Sequence, residues 1–157
     1  MGVRGGKQED RVQIRSGPWD REQIEAYLRE TVIPVRIASA GQSGPLVQSL
    51  WFRFDEDALW CCTQRDALIA RRLGAEPRCG FEVSGDTPPY RGVRGQGTAE
   101  LAAQPAATLL PQLIDRYQGA EESPLRRWLL ARLDTEVAIR IGELTVASFD
   151  YSGRMGA

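Results

Sequence analysis

Residues 77–101 read PRCGFEVSGDTPPYRGVRGQGTAEL, which is two strand-like runs joined by a rigid Pro-Pro turn. In the second run the residues alternate between a polar face and a face of small or apolar residues. The second face carries Val93, Gly95, Gly97, Ala99 and Leu101. Glycine inside a strand indicates a bulge, a bend, or a place where a ligand or another backbone comes close. The stretch therefore predicts a pair of strands and leaves open whether its glycines serve sheet geometry or a ligand.

Further strand-like segments lie on both sides of this pair and are separated by turns rich in Gly, Pro and Asp. These segments span residues 35–38, 46–54, 59–63, 137–141 and 144–150. The last two segments are expected to form a hairpin around Gly142 and Glu143.

Four helices are predicted around the strands. Asp20 and Gln23 have the spacing of a capping box at the start of the first helix, and Pro34 follows its end. A short helix is expected over residues 66–73. The third helix has a single apolar stripe, formed by Leu109, Leu110, Leu113, Ile114 and Tyr117. The fourth helix begins at Ser123 and Pro124 and is expected to bury Leu125, Trp128, Leu129 and Leu133.

Six or seven short strands with a few helices predict a mainly β protein, a small antiparallel barrel with helical flanks. Closure into a barrel also removes the exposed edges that so many strands would otherwise have. Residues 1–17 lack periodicity and are predicted to be a flexible tail. The length of 157 residues suits one domain, which we expect over residues 18–157.

The composition excludes several classes of partner. A net charge of −1 gives no general attraction to nucleic acid or to anionic lipid. The sequence contains no run of about 18 apolar residues, and it begins with polar residues, so we expect a soluble, cytoplasmic protein with no membrane partner. Of the 20 basic residues, 19 are Arg and only Lys7 is Lys. Basic side chains that bind a phosphate in this protein would therefore do so through guanidinium groups.

Cysteine and histidine usage limits the chemistry further. Cys61, Cys62 and Cys79 are an odd number without CxxC spacing, so we expect buried thiols rather than disulfides or a zinc site. The chain contains no histidine. This excludes Ser/His and Cys/His nucleophile pairs and leaves no ordinary base that titrates near neutral pH. No metal site is expected.

The order of these segments resembles a known family. A helix is followed by IPVRIAS, PLVQSLWFRF, LWCCT, a short helix, PRCGFEV, RGVRGQGTAEL and finally EVAIRIGELTVASFDYSGRM. Over residues 33–155 this order is similar to that of the pyridoxamine 5′-phosphate oxidase-like family of flavin-binding split β-barrels. The resemblance implies a homodimer that holds two flavins, FMN or in some branches a deazaflavin, in clefts between its subunits, with a small organic substrate.

The resemblance also implies candidate cofactor-binding residues. Ser49, Leu50 and Trp51 match the strand whose backbone lines the flavin ring in relatives. Thr63, Gln64 and Arg65 match the mouth of the short helix, where backbone N–H groups favour a phosphate.

Two phosphate-binding side chains of the family are missing. The hydroxyl and the cation that follow the threonine in the family are replaced here by Ala67 and Ile69, and Asp66 would repel a phosphate. Guanidinium groups that could replace the lost charge are those of Arg53, Arg65, Arg91 and Arg94. Those of Arg71 and Arg72 could do so as well, but both fall away from the apolar stripe of the short helix, which is typical of a solvated helix face. The alternatives are that Arg53 is an ordinary surface residue and that Arg91 and Arg94 pair with nearby acids. No catalytic side chain is predicted.

The resemblance implies a flavin-dependent oxidoreductase that acts by hydride transfer, since the cofactor supplies the chemistry. The alternative is a non-enzymatic flavin or nucleotide binder on the same fold. The absence of the phosphate-binding hydroxyl and cation at Ala67 and Ile69 favours this alternative. Haem binding and a structural dimer with an empty cleft remain open, although the missing histidine is against haem. The sequence leaves the choice between FMN and a deazaflavin open.

Overall fold

A computed structural model of the chain describes residues 11–155. The helices are Arg21–Glu30 (α1), Leu68–Ala75 (α2), Ala106–Gln118 (α3), Pro124–Leu130 (α4) and Ser152–Met155 (α5). The strands are Gln13–Ser16 (β1), Val35–Ser39 (β2), Leu46–Leu50 (β3), Phe52–Asp55 (β4), Ala58–Gln64 (β5), Arg78–Ser84 (β6), Arg91–Ala102 (β7) and Glu136–Asp150 (β8).

Seven of these strands form one antiparallel sheet in the order β3-β2-β6-β7-β8-β5-β4. The two ends of this order, β3 and β4, are consecutive in the chain and are joined at Trp51. The sheet is therefore rolled up, and the chain itself connects its two ends. The expectation of a mainly β split barrel with flanking helices is confirmed.

The core fills the inside of the rolled sheet. Alternate residues of β2 and β4 point inward, among them Val35, Ile37 and Phe52, all fully buried. Helix α1 adds Ile24 and Leu28 to the same cluster. Burial of such side chains contributes about 1.5–3 kcal/mol each. Helix α3 covers the outer side of β5 and β8 with a second, smaller apolar cluster.

The predicted ends of α1 have a clear chemical basis. Asp20 accepts a hydrogen bond from the amide of Gln23 at 2.9 Å, and the Gln23 side chain accepts one from the amide of Asp20 at 2.9 Å. This capping box is confirmed. At the other end, the guanidinium of Arg116 on α3 donates to the carbonyls of Arg29 and Thr31 at 2.7 and 2.6 Å. Carbonyl groups at the end of α1 thus find a donor from another helix.

The predicted tail is wrong for part of its length. Residues Gln13–Ser16 form β1, which pairs parallel with β8 from Thr145 to Ala147. This part of β8 lies beyond the residues that pair with β5, so its second edge is open to β1. Residues 1–10 lie outside the described residues. That residues 18–157 form a single domain stays a prediction.

The predicted hairpin over residues 137–150 is wrong as well. Residues Glu136–Asp150 form one 15-residue strand that pairs with β7 along its length. Gln96 lies opposite Thr145 and Thr98 opposite Gly142, so β8 has one extra residue between these pairs. Glu143 has a positive φ of 52°. The Gly-Glu signal thus marks a β-bulge that bends a continuous strand, because both halves find the same partner.

Two further differences concern local packing. The expected strand over residues 46–54 is interrupted at Trp51, because the chain there leaves one end of the sheet for the other. Helix α4 begins with the expected Ser123 cap, but none of its residues is buried. Leu125 and Trp128 are 41% and 55% exposed, so the prediction that this helix buries them is wrong. Their spacing fits a helix face, and among residues 11–155 that face stays largely exposed, with the guanidinium of Arg132 4.4 Å over the Trp128 ring.

Candidate functional site

The end of β3 lies next to β5 at one corner of the rolled sheet. Phe52 pairs with Cys61 across β4 and β5, so the residues before it, Trp51 and Leu50, lie beside Cys62 and Thr63. The ends of β3 and β5 therefore meet, and with them lie two sets of predicted cofactor-binding residues, residues 49–51 at the end of β3 and residues 63–65 at the end of β5. We call this group the β3–β5 corner: Ser49, Leu50, Trp51, Thr63, Gln64 and Arg65.

The side chain of Trp51 is held by α3. Its ring is stacked on that of Tyr117, with centroids 5.2 Å apart and planes 5° from parallel. The Tyr117 hydroxyl accepts a hydrogen bond from the amide of Phe52 at 3.2 Å and donates to the carbonyl of Ile33 at 2.9 Å. Burial raises the pKa of Tyr117. One face of the Trp51 indole is thus covered by Tyr117. The part of Trp51 that we assign to a ligand at the corner is therefore its backbone.

Ser49 and Leu50 belong to β3, one end of the sheet order. Such a strand has backbone N–H and C=O groups on its outer edge that are not used in the sheet. The Ser49 side chain is exposed, and Leu50 packs against the core. The strand is therefore anchored on one face and open on the other.

The side chain of Gln64 is directed to the start of β8. Its amide donates to Glu136 at 2.5 Å, and the amide oxygen accepts from the Thr135 hydroxyl at 2.5 Å. Burial raises the pKa of Glu136, and its charge contributes, after burial, to raising the pKa of the Cys62 thiol to about 12. These side chains lie on the side of β5 and β8 that α3 covers, and Cys62 is a half-buried thiol with a raised pKa rather than a nucleophile.

The beginning of α2 offers backbone donors but few side chains. The helix begins after Ala67, and no side chain caps its first turn. Asp66 is exposed and precedes the helix, and it makes no capping hydrogen bond to the first-turn N–H groups. Ile69 is 2% exposed and belongs to the core. Arg65 is exposed at the same place, with its amide bonded to the carbonyl of Thr135 at 2.9 Å.

Arg53 lies away from the corner, on the side of β4 that faces α3. Its guanidinium donates to Asp55 at 2.7 Å and to the side chain of Gln112. The structure therefore does not bring Arg53 together with Thr63 and Arg65. No local pattern indicates the contact with α3, because Gln112 follows 59 residues after Arg53.

Arg91 and Arg94 are at the other end of β8 from the corner. Thr63 pairs with Val137, whereas Arg94 pairs with Ala147 and Arg91 with Asp150. From residue 137 to residue 147 is ten steps, roughly 30 Å along the strand at about 3.3 Å per residue. Within one chain these arginines therefore lie far along β8 from Thr63, although Arg94 shares a cross-strand row with Ser49 through Arg36 and Glu82.

Arg94 instead lines a cavity of about 520 Å³ on the outer face of the sheet, which we call the outer trough. The outer trough is lined by Arg15, Arg36, Ala38, Val47, Gly80, Phe81, Glu82, Arg94, Gly95, Gln96, Thr145, Val146 and Ala147. Arg15 and Arg36 were not among the predicted site residues. The alternation of Arg36 with the buried Val35 and Ile37 was the available signal for an outward-facing arginine.

Gly95 and Gly97 of β7 are explained by sheet geometry. A Cβ on Gly95 would lie 2.1 Å from the carbonyl oxygen of Thr145, and one on Gly97 would lie 2.6 Å from the Ile141 side chain. Both glycines allow β8 to approach β7 closely at its bulge. Of the two alternatives left open by the sequence, close approach of another backbone accounts for them.

Within residues 11–155, no three His, Cys, Asp or Glu side chains come together as a set that could hold a metal ion. Among the helices in this range, none has the length and apolar character needed to cross a membrane.

No protein-family model and no curated protein sequence matches the chain. Solved structures do match along most of its length. A conserved hypothetical protein of Mycobacterium tuberculosis is 19% identical with a TM-score of 0.72, and the match covers 95% of this chain and 91% of that chain. An F420 reductase is 24% identical with a TM-score of 0.63, covering 75% and 90%. A candidate pyridoxamine 5′-phosphate oxidase of Listeria innocua is 16% identical with a TM-score of 0.62, covering 81% and 95%.

These similarities define the fold. The chain has the split-barrel fold of the pyridoxamine 5′-phosphate oxidase-like proteins, and the resemblance stated from the sequence is confirmed at that level. The identities are all below 25%, so the activity has to be argued from the residues of this chain.

Proposed function

We propose that this protein is a flavin-dependent oxidoreductase that holds FMN, or alternatively a deazaflavin, at the β3–β5 corner and acts on a small organic substrate. The observation that carries the proposal is the proximity of the open edge of β3 to Thr63 and to the uncapped start of α2. An F420 reductase and a candidate pyridoxamine 5′-phosphate oxidase with the same fold support this class of cofactor.

The residues at the corner fit the ring of such a cofactor. The backbone of Ser49, Leu50 and Trp51 offers donors and acceptors to a polar ring edge, and the stack of Trp51 on Tyr117 keeps that backbone in place. A planar ring with a polar edge needs this combination of an apolar wall and fixed hydrogen-bonding groups.

The residues also fit a phosphate, through a different donor set from that of the family. Ile69 is buried and Ala67 has no polar group, so neither replaces the missing side chains. The remaining donors are the first-turn N–H groups of α2, the Thr63 hydroxyl and the exposed guanidinium of Arg65. Backbone N–H groups at a helix start and a bidentate guanidinium are both effective anion donors.

A second copy of the chain would complete the site. Arg91 pairs with Asp150, thirteen residues along β8 from Val137, the partner of Thr63. This is roughly 40 Å along the strand. We therefore propose that the protein is a homodimer in which Arg91 of one copy reaches the phosphate-binding side of the corner, at Thr63 and Arg65, of the other.

The flavin, when bound, supplies hydride transfer at its N5 atom. The chain orients the ring by the β3 backbone, holds the phosphate by Thr63, Arg65 and α2, and excludes water by the side chains around Trp51. None of these roles needs a histidine, in agreement with the composition.

Titration of FMN fluorescence with purified protein tests the proposal. We expect quenching at micromolar protein and about tenfold weaker binding by Arg65→Gln, because one charge-assisted contact is lost. Arg71→Gln is the matched control, since Arg71 is an exposed arginine on α2 itself. Absence of quenching by FMN and by a deazaflavin would reject the proposed cofactor site.

Mixing two inactive variants tests the shared site. Arg65→Gln and Arg91→Gln should each bind FMN weakly. A mixed dimer contains one site with both arginines intact, so mixing after dissociation should restore tight binding at one site per dimer. If all three arrangements bind equally weakly, Arg65 and Arg91 do not meet across an interface.

The second candidate is a flavin binder without turnover, and the loss of phosphate-binding side chains at Ala67 and Ile69 favours it. Reduction of the bound flavin by a nicotinamide donor, followed by reoxidation with a substrate or oxygen, would establish the oxidoreductase. A bound flavin that cannot be reduced and reoxidised in this way would establish the binder.

A further inference from the structure

The outer trough consists of two rows of side chains that cross the sheet. In the first row, Ser49 pairs with Arg36, Arg36 with Glu82, and Glu82 with Arg94. In the second row, Val47 pairs with Ala38, Ala38 with Gly80, and Gly80 with Gln96. Residues of neighbouring strands in one row lie about 5 Å apart. The trough therefore has a charged side next to a floor of very small residues.

The charged side is electropositive. Arg15, Arg36 and Arg94 line the trough together with a single acid, Glu82. Among residues 11–155 the ion pairs do not join Glu82 to Arg36 or Arg94. Arg36 donates to the carbonyl of Ser84 at 3.2 Å, Arg94 lies 4.8 Å above the ring of Phe149, and Glu82 accepts from the Ser84 hydroxyl at 3.0 Å.

These contacts hold the two guanidinium groups, and Glu82, which pairs with both in the first row, offsets one of the two positive charges. A guanidinium has five donor N–H bonds, and one carbonyl or one aromatic face uses few of them. Arg36 and Arg94 therefore keep donor edges that suit the two oxygens of a carboxylate or phosphate.

At Gly80, in the floor of the trough, there is free space that packing of the sheet does not require. A Cβ on Gly80 would lie 3.6 Å from the Cβ of Ala38 and 3.7 Å from the carbonyl of Gly95, which are ordinary contacts. Gly95, by contrast, has no such room. Glycine weakens a strand, so a glycine without steric cause marks a place where something else approaches the backbone. At Gly80 that space opens into the trough.

We propose that the outer trough binds a planar organic anion, whose ring lies over Gly80 and Ala38 and whose carboxylate or phosphate group is held by Arg36 and Arg94. A cavity of about 520 Å³ is of the size that takes a small organic molecule. This site goes beyond the proposed function, because it needs no flavin at the β3–β5 corner.

Calorimetric titration with two probes tests the site. Adenosine 5′-monophosphate carries a ring with a phosphate, and 2-naphthoate carries a ring with a carboxylate. We expect at least one of them to bind, and the tighter probe identifies the preferred anion. Arg36→Gln should weaken binding about tenfold or more. Gly80→Ala should weaken it and Gly80→Val should abolish it, because the added methyl groups occupy the floor.

Arg127→Gln is the control for loss of one positive charge, since Arg127 is an exposed residue of α4, and it should bind as the unaltered protein does. Thermal unfolding of the Gly80 variants verifies that they fold. If Gly80→Val does not fold, Gly80→Ala carries the test.

Several results would overturn the proposal. These are the failure of both probes to bind, binding that is unchanged in Arg36→Gln and the folded Gly80 variants, or equally tight binding of inorganic phosphate alone. Titration of FMN with the same variants separates the two sites. FMN binding without trough binding rejects this inference alone, and trough binding without FMN binding rejects only the proposed cofactor site.

Discussion

The ring of Trp51 lies flat against the ring of Tyr117, with 5.2 Å between their centroids. Trp51 is the residue at which the chain passes from β3 to β4, the two ends of the rolled sheet. Tyr117 is in the last turn of α3 and bonds to the backbone of Phe52, directly after this connection, and of Ile33, just before β2. One helix residue therefore closes the barrel and positions the strand edge of the β3–β5 corner.

Tyr117→Phe is expected to lower the free energy of unfolding by about 1–2 kcal/mol. The substitution keeps the stack on Trp51 but leaves the buried amide of Phe52 without its partner. Urea unfolding measures the loss. Tyr151→Phe, at an exposed tyrosine, is the control and should have an effect below about 0.5 kcal/mol. Equal stability of Tyr117→Phe and the unaltered protein would show that the hydroxyl does not hold the connection.

Arg71 and Arg72 are neighbours on α2 with different expected effects. Arg72 donates to the hydroxyl and the carbonyl of Ser39, both at 2.9 Å, and to the carbonyl of Gly44 at 2.6 Å. It thus ties α2 to the turn between β2 and β3. We expect Arg72→Ala to destabilise the fold by about 2 kcal/mol or more, because charged hydrogen bonds to partly buried groups are lost.

Arg71 is exposed, so Arg71→Ala should change stability by less than about 0.5 kcal/mol. Thermal or urea unfolding of the two variants provides the comparison. Similar losses for both would contradict a structural role specific to Arg72. Arg72→Lys should recover only part of the stability, because an ammonium cannot reproduce the fork that contacts Ser39 and Gly44.

Most of the fold follows from local sequence signals. The alternation over residues 91–102 and the capping box at Asp20 both appear as expected. The failures have a common cause in non-local pairing. The Gly142-Glu143 signal is locally that of a turn, but a continuous partner strand makes it a bulge. Residues 13–16 have no pattern of their own and become a strand only because β8 offers an open edge.

The candidate site is predicted less completely than the fold. The proximity of Leu50 to Thr63 follows from family order, whereas the convergence of Arg15, Arg36 and Arg94 depends on three strands that are distant in sequence. The charge of Arg53 indicated a phosphate-binding residue, but its guanidinium is bound to the side chains of Asp55 and Gln112. The residue type indicates a capacity to bind an anion, but the neighbours decide whether that capacity is used.

Gly95 and Gly80 differ in the space around them and should therefore differ in how well they tolerate substitution by alanine. Gly95→Ala places a methyl group 2.1 Å from the carbonyl oxygen of Thr145 and should destabilise the fold by about 2 kcal/mol or more. Gly80→Ala meets no atom closer than 3.6 Å and should be neutral or stabilising by about 0.5 kcal/mol. Urea unfolding of the two variants measures these changes in the free energy of unfolding. A large loss for Gly80→Ala would mean that this glycine, too, serves the fold.

Glu136 should make stability depend on pH. Burial raises its pKa in the folded state above its ordinary value, so the folded protein holds a proton that the unfolded chain has already released. Stability from this group is therefore full below the ordinary pKa of about 4.3 and is lost as the pH rises through the folded-state pKa.

Glu136→Gln removes this dependence while keeping an oxygen that accepts from Gln64. The variant should gain stability relative to the unaltered protein at pH 7.5, and the gain should shrink at pH 4. Urea midpoints at the two pH values measure it, with Glu143→Gln, an exposed residue of the same strand, as control. A difference between Glu136→Gln and the unaltered protein that is the same at both pH values would mean that the carboxyl titrates alike in the folded and unfolded chain, in spite of its burial at the end of the barrel.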